Sequence, residues 1–399
     1  MATRGELEAA AAAGLLSTEQ VGPLADFLAK RGRSDSPQPA LNDEENLRFI
    51  RNFHDVFLAT GIVLLAVGLT VSIAIALSNG FRLGSIDKGA GSVIGAAMLF
   101  AAAAAIMWAL GEIFARRRRL FLPAIALCVA FTIFAAVSIA CIYIGALAIA
   151  GWPGYGKGEI DSFGRDGWRQ VSGALVVAAM AATAAPALFY ARFRLPFSLG
   201  LVGAGGAATL LAIFSALFPN AFLVALAPLL LLSGIALFIA GVAFDMRDPE
   251  RATRLSDNGF WLHMAAAPLI LNGALGCVAR ALGAGSSGLA GALFSGDTAH
   301  APAIALAALA VIALLAFVSL LINRRALIVS ALLTTGVAVS ILLRTAGMES
   351  GGLVATTLVT LGAGVLVLGA GWRTARRALL ARMPQSGFWS RVFPPEALE

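Results

Sequence analysis

Apolar residues dominate this chain in ten long runs, and the polar segments between and around them hold nearly all the charge. The runs cover residues 57–78, 90–113, 121–148, 171–190, 195–217, 221–244, 260–282, 302–322, 326–343 and 352–372. A helix rises about 1.5 Å per residue, so about 20 residues cross a hydrocarbon core of roughly 30 Å. The pattern therefore predicts an all-α fold, a polytopic transmembrane bundle of about ten helices. The run at 326–343 is the shortest, and 121–148 is long enough to tilt or to include a turn outside the membrane. Only Pro219-Asn220 divides 195–217 from 221–244, so a re-entrant pair is the alternative to two full spans there.

The first 40 residues break this pattern and predict a small water-soluble head. Thr3 caps a short helix over Glu6–Ala13, and Gly14 fits a left-handed stop. A second helix opens with a capping box, Ser17 at the N-cap and Gln20 three residues on, with Leu16 and Val21 placed as a hydrophobic staple. Leu16, Val21, Leu24, Phe27 and Leu28 give the hairpin an apolar face that a partner could dock against. Ser34–Ala40, containing Pro37 and Pro39, is a linker. Residues 41–56 lead into the membrane as an amphipathic helix, with Phe49, Phe53 and Phe57 on one face. The transmembrane part occupies 57–372 and a basic tail 373–399.

Composition agrees with lipid as the main solvent. Of the 399 residues 59% are apolar and 13% charged, about half the charged share a soluble domain needs to cover its surface. The net charge of +7 lies in the short segments between runs, which makes it a topology signal and excludes a nucleic-acid stripe. With the N-terminus placed inside, 22 of the 29 Lys and Arg fall on the inner side and every inner segment is basic. The positive-inside rule then predicts a multi-pass protein of the bacterial inner membrane with both termini cytoplasmic. Residues 1–40 lack a basic region followed by a continuous apolar core, so no cleavable signal peptide is expected.

Candidate chemistry is sparse. Ionisable side chains at membrane depth are costly and mark function, yet no Asp, Glu or Lys lies in the middle of a run. That scarcity speaks against an ion-driven carrier. Glu112 stands at the inner end of the second run beside Arg116, where interfacial pairing is expected. His263 and Asn272 make the seventh run the most polar. At nine residues apart they face opposite ways, so His263 reads as a headgroup-level residue and Asn272 as a buried bond to a neighbouring helix. Glu159, Asp161 and Asp166 sit in a Gly-rich outer segment, Gly151–Gln170, where acids could hold a metal or act on a lipid-linked sugar. A solvated acidic loop explains them more simply. Cys128, Cys141 and Cys277 read as buried thiols; the first two lie about 20 Å apart on one helix and cannot bridge each other. The three His lack metal spacing, so no metal, cofactor or catalytic set is expected.

Several stretches together resemble a known group. They are Gly14-Leu-Leu-Ser17-Thr-Glu-Gln20 in the head and Leu47-Arg48-Phe49 through Phe57 at the first span. Trp108 to Pro123, with its arginine run, and Gly371-Trp372-Arg373 followed by Met383-Pro384 complete the set. The chain resembles uncharacterised bacterial inner-membrane proteins of the domain-of-unknown-function 2157 type. The resemblance implies a polytopic membrane protein and carries over no activity and no catalytic residue.

Three readings of function follow. The leading one is a non-enzymatic protein whose cytoplasmic head, residues 1–40, docks a protein partner or senses envelope state while the spans contact membrane lipids. The next is a carrier or flippase for an apolar or lipid substrate, motivated by glycine- and proline-rich spans. The third is a membrane enzyme acting on lipid-linked substrates through Glu159, Asp161 and Asp166.

Overall fold

A computed structural model describes residues 53–81, 88–150, 165–248, 254–283, 301–324, 332–345 and 350–381, together with a few positions between 7 and 24. The chain divides into a head unit and a larger unit spanning 47–395. In the head, Gly14 takes φ +73° and its N–H donates to the Ala11 carbonyl at 3.0 Å. A left-handed residue at that position ends a helix, as the sequence predicts. The Ser17 N–H donates to Gln20 Oε1 at 3.1 Å, one arm of the capping box. Val21 is buried and Leu24 half-buried; Leu16, Phe27 and Leu28 lie outside the described residues, as does most of the 41–56 lead-in.

The larger unit is helical throughout its described residues. Its helices are α1 (Phe53–Ser78), α2 (Lys88–Gly111, continued by a π turn over Glu112–Arg117), α3 (Phe121–Ile149), α4 (Arg165–Phe193), α5 (Pro196–Leu217), α6 (Pro219–Asp245), α7 (Arg254–Ala281), α8 (Ala301–Ile322), α9 (Leu332–Thr345) and α10 (Ser350–Leu380). Nine helices among the described residues are long and apolar enough to cross a membrane. The protein is therefore an integral, multi-pass membrane protein. Of the ninth run the structure describes a helix, α9, over Leu332–Thr345, and residues 326–331 lie outside the described residues. Pro219 starts α6 at its first position, where its missing N–H costs nothing, so 195–244 forms two full-length helices rather than short re-entrant arms. The helix α4 begins at Arg165, which shortens the expected outer loop and puts Asp166 in a first helical turn; Glu159 and Asp161 lie outside the described residues. The helix α10 continues past Trp372 to Leu380, into the expected tail.

Neighbours in sequence pack as antiparallel pairs, and hydroxyls bridge several of them. Ser138 Oγ donates to the Ala97 carbonyl between α3 and α2 at 2.8 Å, Thr183 and Thr209 join α4 to α5 at 3.0 Å, and Ser340 and Thr357 join α9 to α10 at 3.2 Å. Between α6 and α7 small residues do this work. Gly241 faces His263 and Gly234 faces Ile270, with an added Cβ meeting its neighbour at 2.8 and 2.7 Å; Gly273 abuts the Leu231 backbone. Ala227, Gly234 and Gly241 recur every seven residues on α6, and Gly259, Ala266 and Gly273 do so on α7. Without a hydrophobic effect between helices in lipid, such close backbone approach supplies the van der Waals contact. Around α2, α3 and α4 the packing is aromatic instead: Trp108 meets Phe131 at 5.2 Å and Phe193 at 5.2 Å, and Phe189 is fully buried.

Candidate functional site: a buried carboxylate, histidine and two arginines

Asp245 is the last residue of α6, and no basic side chain accompanies it in that turn. A carboxylate there faces the negative end of the helix dipole, so it needs compensation from elsewhere in the fold. Arg324, just after α8, supplies it. Its Nε donates to Asp245 Oδ2 at 3.1 Å and its Nη2 to Oδ1 at 2.5 Å, a side-on fork. The same Nη2 donates to the carbonyl and hydroxyl oxygens of Ser256 in α7, at 3.1 and 2.8 Å. The Arg324 N–H closes α8 by donating to the Ser319 carbonyl at 2.9 Å, after Asn323 turns left-handed at φ 52°. That turn aims the arginine back between the helices.

His263 completes the cluster, with Nε2 at 3.0 Å from Asp245 Oδ2. Since the carboxylate only accepts, Nε2 carries the hydrogen between them. His263 is 0% exposed and Arg324 3%, while the Asp245 side chain is 14% exposed. Glycine makes the space. A Cβ on Gly241 would stand 2.8 Å from His263 Cε1, and one on Gly259 would collide with the Asp245 carboxylate. Phe238 covers the imidazole at a centroid distance of 5.1 Å. With a neutral imidazole the cluster is charge-balanced; a protonated one leaves it with one positive charge in excess.

The cluster belongs to a wider polar layer at one end of the bundle. From α8, Asn323 Oδ1 accepts from Trp372 Nε1 at 3.2 Å, and the Leu320 carbonyl accepts from Arg376 Nε at 3.2 Å. Arg376 is 1% exposed, so a second guanidinium is buried at the carbonyl end of α8, where a cation is favoured. On the other side, Asn258 of α7 donates to the Tyr190 hydroxyl of α4 at 2.9 Å, and Arg192 of α4 reaches Glu112 of α2 at 2.7 Å. These bonds link α2, α4, α6, α7, α8 and α10 at the end where alternation of helix direction brings their termini together.

The sequence-predicted positions fare differently. Glu112 pairs with Arg116 at 3.2 Å as expected, and also with Arg192, which sequence spacing gave no reason to select. His263 is fully buried among the helices, nine residues after the start of α7 at Arg254, about 14 Å along the helix. Asn272 is a correction. It is exposed, and its Nδ2 donates to Pro268 in its own helix at 2.8 Å, since the neighbouring Gly273 takes the packing face. The three cysteines are free; Cys128 is buried, while Cys141 and Cys277 are half-buried.

No protein-family model matches this chain, and no curated protein or solved structure matches it either. What the cluster does is therefore argued from its own chemistry. Asp245, Ser256, Arg324 and Arg376 escaped notice in the sequence because each sits at the edge of an apolar run, where charge is ordinary. One signal was available: Asp245 ends its helix with no cation beside it.

Proposed function

We propose that this protein is a carrier of the bacterial cytoplasmic membrane for an apolar or lipid substrate, with ten spans and both termini inside. In this reading Asp245, Arg324 and His263 form a protonatable latch at the inner end of α6, α7 and α8. The observation that carries it is one buried carboxylate holding donors from two other helices. A buried ion pair is seldom a better glue than apolar side chains of similar size. It has the property apolar packing lacks, a defined bonded state that a proton or a competing partner can exchange. Ionisable groups at membrane depth belong to pathways and relays far more often than to scaffolding. The inner assignment rests on the positive-inside rule, since Arg116–Arg119, Arg192, Arg194, Arg247, Arg324, Arg376 and Arg377 all fall on the latch side. Membership of the domain-of-unknown-function 2157 group is part of the same proposal and rests on the motif residues quoted above.

The reading is tested with the full chain in liposomes carrying a trace of fluorescent phosphatidylglycerol or phosphatidylethanolamine. Dithionite quenching of the label reports its movement between leaflets. Protein-dependent movement that Asp245→Asn changes by about tenfold, one broken charged bond, supports the carrier. Movement no faster than in protein-free vesicles at both pH 6 and pH 8 removes the lipid-carrier reading.

A second reading keeps the head as the working part, favoured by the observed helix stop at Gly14 and cap at Gln20. There residues 1–40 dock a cytoplasmic protein. In-cell crosslinking with and without residues 1–40 decides it: unchanged crosslinks after the deletion end that reading.

A further inference from the structure

The latch leaves unexplained a strongly basic surface among the described residues. Four consecutive arginines, Arg116–Arg119, follow α2, and Arg192 and Arg194 end α4. The fold brings these two ends together: a Cβ on Gly111 would stand 3.2 Å from the Phe193 ring, Leu195 joins the core that includes Phe114, and Arg192 bonds Glu112 at 2.7 Å. All six arginines are exposed, with Glu112 the one carboxylate bonded among them within the described residues. Glu112 answers Arg116 and Arg192. Arg117, Arg118, Arg119 and Arg194 are left over as an excess of positive charge.

The backbone arranges this excess. The π turn over Glu112–Arg117 inserts extra chain at the end of α2. Arg119 and Arg194 then both take left-handed conformations, each at φ 53°, and each is followed by an extended leucine at the N-cap of the next helix. Left-handed geometry is unfavourable for arginine by about 1 kcal/mol, so the two loops share a costly conformation at matching places. The Arg118 guanidinium lies 5.8 Å over the Phe114 ring. Below the arginines the surface is apolar and exposed, with Ile113 at the turn and Leu188 one turn before Arg192.

We propose that this patch is a binding site for one anionic phospholipid, its phosphate held by arginines of both loops and its acyl chains lying on the exposed apolar surface of α2 and α4. Guanidinium and phosphate match in fork geometry, and basic clusters between spans suit anionic headgroups. Orientation in the membrane needs only a bias of charge. It does not need six arginines gathered from two loops around one glutamate.

The test is native mass spectrometry of the full protein extracted from vesicles of equimolar phosphatidylglycerol and phosphatidylcholine. The wild type should retain one phosphatidylglycerol in preference to phosphatidylcholine. The variant R117Q/R118Q/R119Q/R194Q keeps the Glu112 pairs and should lower that preference by about tenfold or more, given roughly a kcal/mol per arginine near a charged headgroup. A control, R247Q/R251Q/R254Q, removes comparable charge elsewhere on the same side and should leave the preference unchanged. A C-terminal topology reporter confirms that both variants insert as the wild type does. Equal loss in the control, or wild-type retention of both lipids alike, overturns the proposal.

Discussion

Two carboxylate–guanidinium pairs stand at the same end of this bundle and live in opposite surroundings. Glu112 and Arg192 meet at 2.7 Å with side chains 29% and 43% exposed. Asp245 and Arg324 meet at 2.5 Å with side chains 14% and 3% exposed. The first has water and spare arginines nearby to substitute for either partner. The second has glycines beneath it, a histidine on the same oxygen and a serine behind the guanidinium. The bond is chemically the same in both places, so the difference lies in what remains after it is broken. At the exposed pair the survivor is hydrated. At the buried pair it is left in apolar surroundings, which is the costly outcome.

The largest effect should come from breaking the buried pair on one side only. Arg324→Gln leaves Asp245 charged with His263 as its remaining donor, and should destabilise the protein by about 3–5 kcal/mol. Thermal unfolding in mild detergent would read this as a drop of many degrees. Replacing both partners, as Asp245→Leu with Arg324→Met, should recover much of the loss because no charge is stranded. If the double replacement is as unstable as the single one, the cost lies in packing rather than in the uncompensated charge.

A smaller effect separates the space around the cluster from its charge. Gly241→Ala puts a methyl 2.8 Å from the imidazole, and Gly259→Ala puts one against the Asp245 carboxylate. Each should cost about 1–3 kcal/mol through overpacking. The comparison position is Gly68 of α1, where an added Cβ meets nothing within 4 Å. Gly68→Ala should be neutral or slightly stabilising, since alanine is the better helix former by about 1 kcal/mol. A loss at Gly68 equal to that at Gly241 would show that the close approach of α6 and α7 is not what matters.

The apolar runs made the helices legible in advance, because lipid imposes one simple condition on length and composition. Nine of the ten runs appear as full-length helices. The tenth, 326–343, is the shortest in the sequence, and its residues 326–331 lie outside the described ones. The polar layer was much less legible. His263 was visible because a histidine stands out inside an apolar run, yet its partner Asp245 lies 18 residues back at a helix end and Arg324 lies 61 residues ahead. Sequence spacing relates residues on one helix. It cannot show which helix ends meet, and that depends on the seven-residue rhythm of small residues that draws α6 against α7. Asn272 failed for the same reason, since the face it occupies is set by Gly273 beside it.

The smallest expected effect sharpens the comparison most, because it is a predicted near-absence. Glu112→Gln removes the negative charge that pairs with both Arg116 and Arg192 without burying anything. Exposed pairs of this kind contribute little and are screened by salt. Unfolding of Glu112→Gln in detergent should therefore match the wild type within experimental scatter at 0.5 M salt. At low salt any loss should be a small fraction of that in Arg324→Gln. The arginines freed from Glu112 remain beside Arg117–Arg119, so the local positive charge rises. If the patch holds an anionic lipid, Glu112→Gln should retain it at least as well as the wild type while leaving stability alone. A large loss of stability, comparable to that of Arg324→Gln, would mean that exposure does not separate the two pairs. The C-terminal ends of α2 and α4 would then be held by their charges as firmly as those of α6 and α8.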